Sequence, residues 1–97
     1  MKETTFHIVL NLRTADGFEP FGKFFLGKRK DLATAVFDKL KGSAAIDNAA
    51  PLSFEFIEMR KNLPFNIEMI SCTLDELSEN CKIIAKETFK LFNLEHS

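Results

Sequence analysis

The run Gly22-Lys23-Phe24-Phe25-Leu26-Gly27-Lys28 has the glycine and lysine spacing of a loop that wraps backbone amides around a nucleotide phosphate. Phe24-Phe25-Leu26 reads as extended strand rather than as a curled loop, and Arg29 stands where a magnesium-binding hydroxyl belongs. The match therefore predicts no nucleotide site. Lys28-Arg29-Lys30 is a better candidate for anion chemistry, because three cations precede a helix whose first amides already favour negative charge. With Lys23 they make a candidate phosphate or sulfate site of four residues, Lys23, Lys28, Arg29 and Lys30. The competing reading is a solvated turn between a strand and a helix.

Other reactive residue types are few and badly spaced. His7 falls on a strand and His96 in the C-terminal tail, and neither has the convergent partners that a catalytic dyad or a zinc site needs. Cys72 and Cys81 match neither a redox CxxC nor a zinc knuckle and read as two reduced thiols. Asp75, Glu76 and Glu79 sit among Lys82 and Lys86 on one helix, a solvated face with weak pairing three and four residues apart. No catalytic residue, metal or cofactor is expected. A pocket between the segment from Ser43 to Pro51, the sheet and the helices is the remaining place for a small molecule or an enzyme site.

The elements that would position these groups come in two copies of one pattern. An apolar strand, an Arg, a turn, a Pro-Phe pair, a second strand and a helix run from Phe6 through Arg13 and Pro20-Phe21 to Asp31, and again from Leu52 through Arg60 and Pro64-Phe65 to Thr73. Phe6, Ile8, Leu10 and Leu12 alternate with His7, Val9, Asn11 and Arg13, the period of a strand with one face on the core. Asp16-Gly17 then marks a hairpin turn. The second strand covers roughly Phe21 to Leu26 and has two readings. A simple two-residue turn pairs Leu12 with Phe21 and Ile8 with Phe25 but sends Lys23 inward. A bulge near Pro20 to Gly22 sends Phe24 and Leu26 inward instead, and this is the reading we favour.

Asp31 is a suitable N-cap for the first helix, with Leu32, Ala35, Val36 and Leu40 on its stripe, Ala33 and Phe37 beside it, and Gly42 placed to end it. The small and polar segment Ser43 to Pro51 reads as the most mobile loop. In the second unit Leu52, Phe54 and Phe56 share one face, and Ser53, Glu55, Ile57 and Met59 the other. Lys61 to Pro64 turns the chain, after which Phe65, Ile67 and Met69 alternate with Asn66, Glu68 and Ile70. Thr73-Leu74-Asp75-Glu76 is a capping box. The long helix behind it carries Leu74, Leu77, Cys81, Ile84, Thr88 and Leu91 on its stripe, widened by Ala85 and Phe92.

These patterns predict an α+β fold over residues 1–97 as a single domain: a two-layer ββαββα sandwich, four strands with both helices packed on one face. The strand order is open, although the first strand is apolar enough to be central. At 45% hydrophobic, the 97 residues supply one core without staples. All eleven aromatic residues are Phe, which fills space but offers no hydrogen bond, so most are expected inside.

Eight Lys/Arg against six Asp/Glu in residues 1–50, and five against eight in residues 51–97, leave halves of +2 and −3 and a net charge of −1. That balance argues against a dedicated nucleic-acid binder. Glu55, Asn66 and Glu68, expected on the open face of the sheet, argue the same way. No apolar run reaches the ~18 residues of a membrane span, and Met1 to Thr5 lacks the apolar stretch of a leader. A cytoplasmic protein without membrane contact is expected.

The open face is the strongest functional lead. It should present Val9, Ile57, Met59 and Ile70, and Ile83 and Phe89 lie off the stripe of the second helix. Such a surface is more apolar than a monomer leaves wet. The sequence thus points to a non-enzymatic protein-interaction or assembly domain, a homodimer formed through the sheet face or along the second helix and dispersed by Asp at Ile57 or Ile83.

Overall fold

A computed structural model describes residues 4–45 and 49–94. His96 and the Asp47-Asn48 pair of the expected loop lie outside the described residues. The elements are β1 (Thr5–Thr14), β2 (Gly17–Gly27), α1 (Lys30–Phe37), β3 (Leu52–Arg60), β4 (Leu63–Cys72) and α2 (Leu74–Leu94). They form one antiparallel sheet in the order β2-β1-β3-β4, with β1 and β3 central.

Period-two alternation decides which side of each strand meets the helices. Phe6, Ile8 and Leu10 of β1 and Leu52, Phe54 and Phe56 of β3 join Leu26, Ile70 and Cys72 under Ala33, Val36 and Phe37 of α1 and Ile84 of α2. Both helices therefore cover the same face. Phe37 stacks on Phe56 with ring centroids 5.3 Å apart, and Phe6 meets Phe56 at 6.1 Å. The internal repeat extends to side-chain contacts at the outer ends of the hairpins. Arg13 lies over Phe18 at 5.9 Å, and Arg60 over Phe65 at 4.1 Å.

The β1–β2 pairing follows the bulged register. Leu10 pairs with Gly22 and Asn11 with Pro20, so Phe21 is skipped and Phe24 turns inward opposite Ile8; a further shift, between His7–Phe25 and Phe6–Gly27, skips Leu26, which is also buried in the core. The turn itself sits one residue earlier than Asp16-Gly17. Thr14 pairs with Gly17, Ala15 and Asp16 form the loop, and Gly17 takes a φ of 115° that suits glycine. At the other hairpin the loop is Lys61-Asn62 alone, both at positive φ, and Leu63 and Pro64 already belong to β4.

A bulge in the β3–β4 pairing overturns part of the face assignment. Phe56 pairs with Glu68 and Ile57 with Asn66, which leaves Ile67 unpaired and exchanges the faces of every residue after it. Ile70 and Glu68 consequently lie on the helix side and Met69 on the open side. Ile70 belongs to the core, not to the open face.

Both helices also depart from expectation. Asp31 is not the N-cap of α1; Arg29 holds that position without a side-chain cap bond, and Asp31 pairs with Arg29 at 2.8 Å in the first turn. The buried stripe is Ala33, Val36 and Phe37, Ala35 is exposed, and α1 ends at Phe37 rather than near Gly42. After Asp38 the backbone leaves the helix because a side chain of α2 captures it. Asn80, fully buried, accepts the Lys41 amide at 2.7 Å and donates to the Lys41 carbonyl at 2.8 Å. Gly42 then passes so close to β4 that a Cβ would lie 2.8 Å from the Ser71 carbonyl oxygen and 2.9 Å from Cys72 Sγ. Glycine is required there by contact, not as a helix cap. Ser43 and Ser71 exchange backbone hydrogen bonds of 2.9 and 2.8 Å, so the start of the expected mobile loop is pinned to the sheet edge.

The capping box of α2 forms as expected, with Thr73 N donating to Glu76 Oε1 at 2.9 Å and Glu76 N to Thr73 Oγ1 at 3.2 Å. Its apolar stripe is used only in the middle. Leu77, Ile84 and Leu91 reach the core, whereas Leu74 and Phe89 are about two-thirds exposed, at 66% and 67%. The ion pairs of this helix centre on Glu87, which meets Lys39 at 2.8 Å and Lys90 at 3.5 Å. Asp75, Glu79, Lys82 and Lys86 form none among the described residues.

Candidate interaction surface

The face of the sheet opposite the helices is ordered in rows by the strand register. One row runs Pro20, Asn11, Ser53, Ser71 across the four strands; the next runs Lys23, Val9, Glu55, Met69, and the third Phe25, His7, Ile57, Asn66. Met59 and Pro64 pair beyond them. A shallow hollow of about 570 Å³ crosses this face, lined by Val9, Pro20, Phe21, Gly22, Lys23, Ile57, Met59 and Pro64. Phe21, the bulge residue of β2, is 72% exposed at its side. Apolar side chains from four strands thus converge where no helix covers them.

Three of the six residues expected to mediate self-association meet here, Val9, Ile57 and Met59. Ile70 is in the core, and Ile83 and Phe89 stand on α2 in the opposite layer. Phe21 and Pro64, members of the two Pro-Phe pairs of the repeat, complete the hollow and were not among the residues expected to mediate self-association. The Pro20 to Gly22 bulge is the signal that carries Phe21, which is skipped by the pairing there and stands exposed.

The polar groups of the face are held in fixed positions. Asn11 Nδ2 donates to Glu55 Oε1 at 2.5 Å, and Asn66 Nδ2 donates to Glu55 Oε2 at 2.6 Å. Two neutral amides therefore aim one carboxylate. His7 lies 5.4 Å from the Phe25 ring, with Thr5 Oγ1 3.0 Å from its Nε2 and its buried Nδ1 without a partner among the described residues. Burial first, and the Lys23 charge second, hold its pKa below the ordinary histidine value.

The four candidate anion-binding residues do not converge. Lys23 shares the open face with Val9, whereas Lys30 reaches Glu58 at 3.9 Å, and Glu58 pairs with Phe6 on the helix side. Arg29 is engaged with Asp31, whose carboxyl this hydrogen bond holds below its usual range. Lys28 follows Gly27 at the end of β2, and Gly22 to Gly27 is strand throughout, not a phosphate-binding loop. Phe24, the ring that RNA stacking would have needed outward, is half-buried on the core side.

A hollow of about 630 Å³ does lie beside the segment after α1, lined by Gly42, Ser43, Pro51, Ser71, Cys72, Thr73 and Glu76 among others. Its thiol is unsuited to nucleophilic work. Cys72 Sγ donates to the Lys41 carbonyl at 3.2 Å, and burial together with the Glu76 charge pushes its pKa up to about 11. A third hollow, about 530 Å³, lies between the edge of β2 and α2, where Phe25 stacks on Phe92 at 5.9 Å.

Among the described residues no group of three or more His, Cys, Asp or Glu is arranged to hold a metal ion. No helix among them is long and apolar enough to cross a membrane. Comparison with protein-family models, curated proteins and solved structures finds no match to this chain.

Proposed function

We propose that this chain is a non-enzymatic protein-interaction or assembly domain that works as a homodimer through the open face of its sheet. The observation that carries this reading is the apolar hollow across all four strands, with Phe21 standing out of it. An exposed Phe on a bulge contributes nothing to the core of its own chain and gains most when another surface covers it. The anion-binding alternative loses support from the separation of Lys23 from Arg29 and Lys30 and from the ion pairs that occupy the latter two.

Light scattering on the full chain tests the reading. The expected result is a particle of twice the 11.0 kDa chain mass, reduced to the chain mass by Phe21→Asp or Met59→Glu. Phe21→Asp is the sharper variant, since Ile57 is itself buried and an Asp there would test folding as much as association. A dimer untouched by both variants would remove the open face from consideration.

A further inference from the structure

We infer that the partner copy packs sheet to sheet about a two-fold axis running along β1 over Val9, with Lys23 of each copy against Glu55 of the partner subunit. This rests on the open-face reading above and supplies its geometry. Lys23, Val9 and Glu55 occupy one row across β2, β1 and β3, so a cation and a carboxylate flank a valine at about 4.8 Å, one strand spacing, on either side. Among the described residues neither charge takes an ion pair within the chain. Glu55 is nonetheless held in a single orientation by Asn11 and Asn66.

A half-turn about an axis parallel to β1 keeps every row at its own level and exchanges its left and right sides. β2 of one copy then lies over β3 of the other. Lys23 faces the partner subunit's Glu55, Glu55 faces the partner subunit's Lys23, and Val9 packs on its own image between the two charge pairs. Sheets stacked in this way sit about 10 Å apart with their strands aligned to within about 30°, which apolar side chains from two faces can fill. A partner of different sequence would have to present a carboxylate, an apolar centre and a cation in reversed order. The chain offers that order to itself by symmetry, which makes the face self-complementary in charge as well as in hydrophobicity.

The test uses the wild-type chain, as a mixture of isotope-labelled and unlabelled protein treated with a carbodiimide that joins an amine to a carboxylate in direct contact. Mass spectrometry is expected to find a peptide joining Lys23 to Glu55 with one label of each kind. In a second measurement Lys23→Glu, which leaves the Asn11 and Asn66 bonds to Glu55 in place, is expected to weaken the dimer at least about tenfold by setting carboxylates against each other. A dimer that Phe21→Asp disperses but that gives no mixed-label Lys23–Glu55 peptide overturns this arrangement while the open-face reading stands. A chain that stays monomeric at millimolar concentration overturns both.

Discussion

In the first half of the chain an eight-residue helix buries Ala33, Val36 and Phe37. The 21-residue helix of the second half buries only Ile84 and Asn80 to the same degree among the described residues. The short helix is held by apolar packing, its Phe37 stacked on Phe56 at the centre of the sheet. The long one contributes a carboxamide that takes both backbone groups of Lys41, at the exit from the short one. Two copies of a ββα pattern can thus share a sheet and divide the work of fixing their helices. The length of an amphipathic helix does not measure how much of it packs.

Equilibrium denaturation of variants can break or sharpen that contrast. The largest loss is expected for Phe37→Ala, about 3–5 kcal/mol, because a buried ring is removed from beneath its stacking partner. Asn80→Ala should cost about 1–3 kcal/mol, chiefly for the Lys41 amide left without a partner, since Cys72 Sγ still donates to the Lys41 carbonyl. An Asn80→Ala loss as small as a surface change would show that α2 is held by its apolar stripe after all. Gly42→Ala is expected to cost about 1–3 kcal/mol, since its Cβ would meet the Ser71 backbone, which cannot swing aside as a side chain could.

A smaller effect belongs to His7, and its sign follows from its depressed pKa. Below the ordinary value of 6.5 the unfolded chain takes up a proton before the folded one, so stability falls with pH from there until the folded histidine titrates too. Lys23 from β2 adds to the penalty, Ile57 from β3 and the Phe25 ring offer no charge, and Thr5 meets only Nε2. The His7→Gln variant should flatten that part of the stability–pH curve. Smallest of all is Phe89→Ser, expected within about 0.5 kcal/mol of wild type because the ring is exposed. A loss of a full kcal/mol would mean that the far end of α2 is bound more firmly than its burial indicates.

Much of the fold was legible because its signals are local. Alternation marked β1 and β3 with the correct faces, Thr73 and Glu76 announced the start of α2, and the awkward position of Lys23 exposed the bulge in β2. The bulge at Ile67 gave no such warning, since Phe65 to Ile70 alternates acceptably in either phase. That one residue moved Ile70 from the candidate surface into the core. Val9, Ile57 and Met59 were readable as a surface, but Phe21 and Pro64 joined them only through the register, and the clamp of Asn11 and Asn66 on Glu55 joins residues from three strands.

Sequence by itself determined the kinds and order of the elements, the side of β1 and β3 that is greasy, and the cap of α2, because each depends on side chains within a few residues of one another. Tertiary structure alone decided that β1 and β3 lie side by side, that α1 stops where Asn80 captures Lys41, and that Lys23, Val9 and Glu55 form one row. Those outcomes depend on which backbone hydrogen bonds meet across the sheet and across the layers, and a strand's own alternation carries no record of its neighbour.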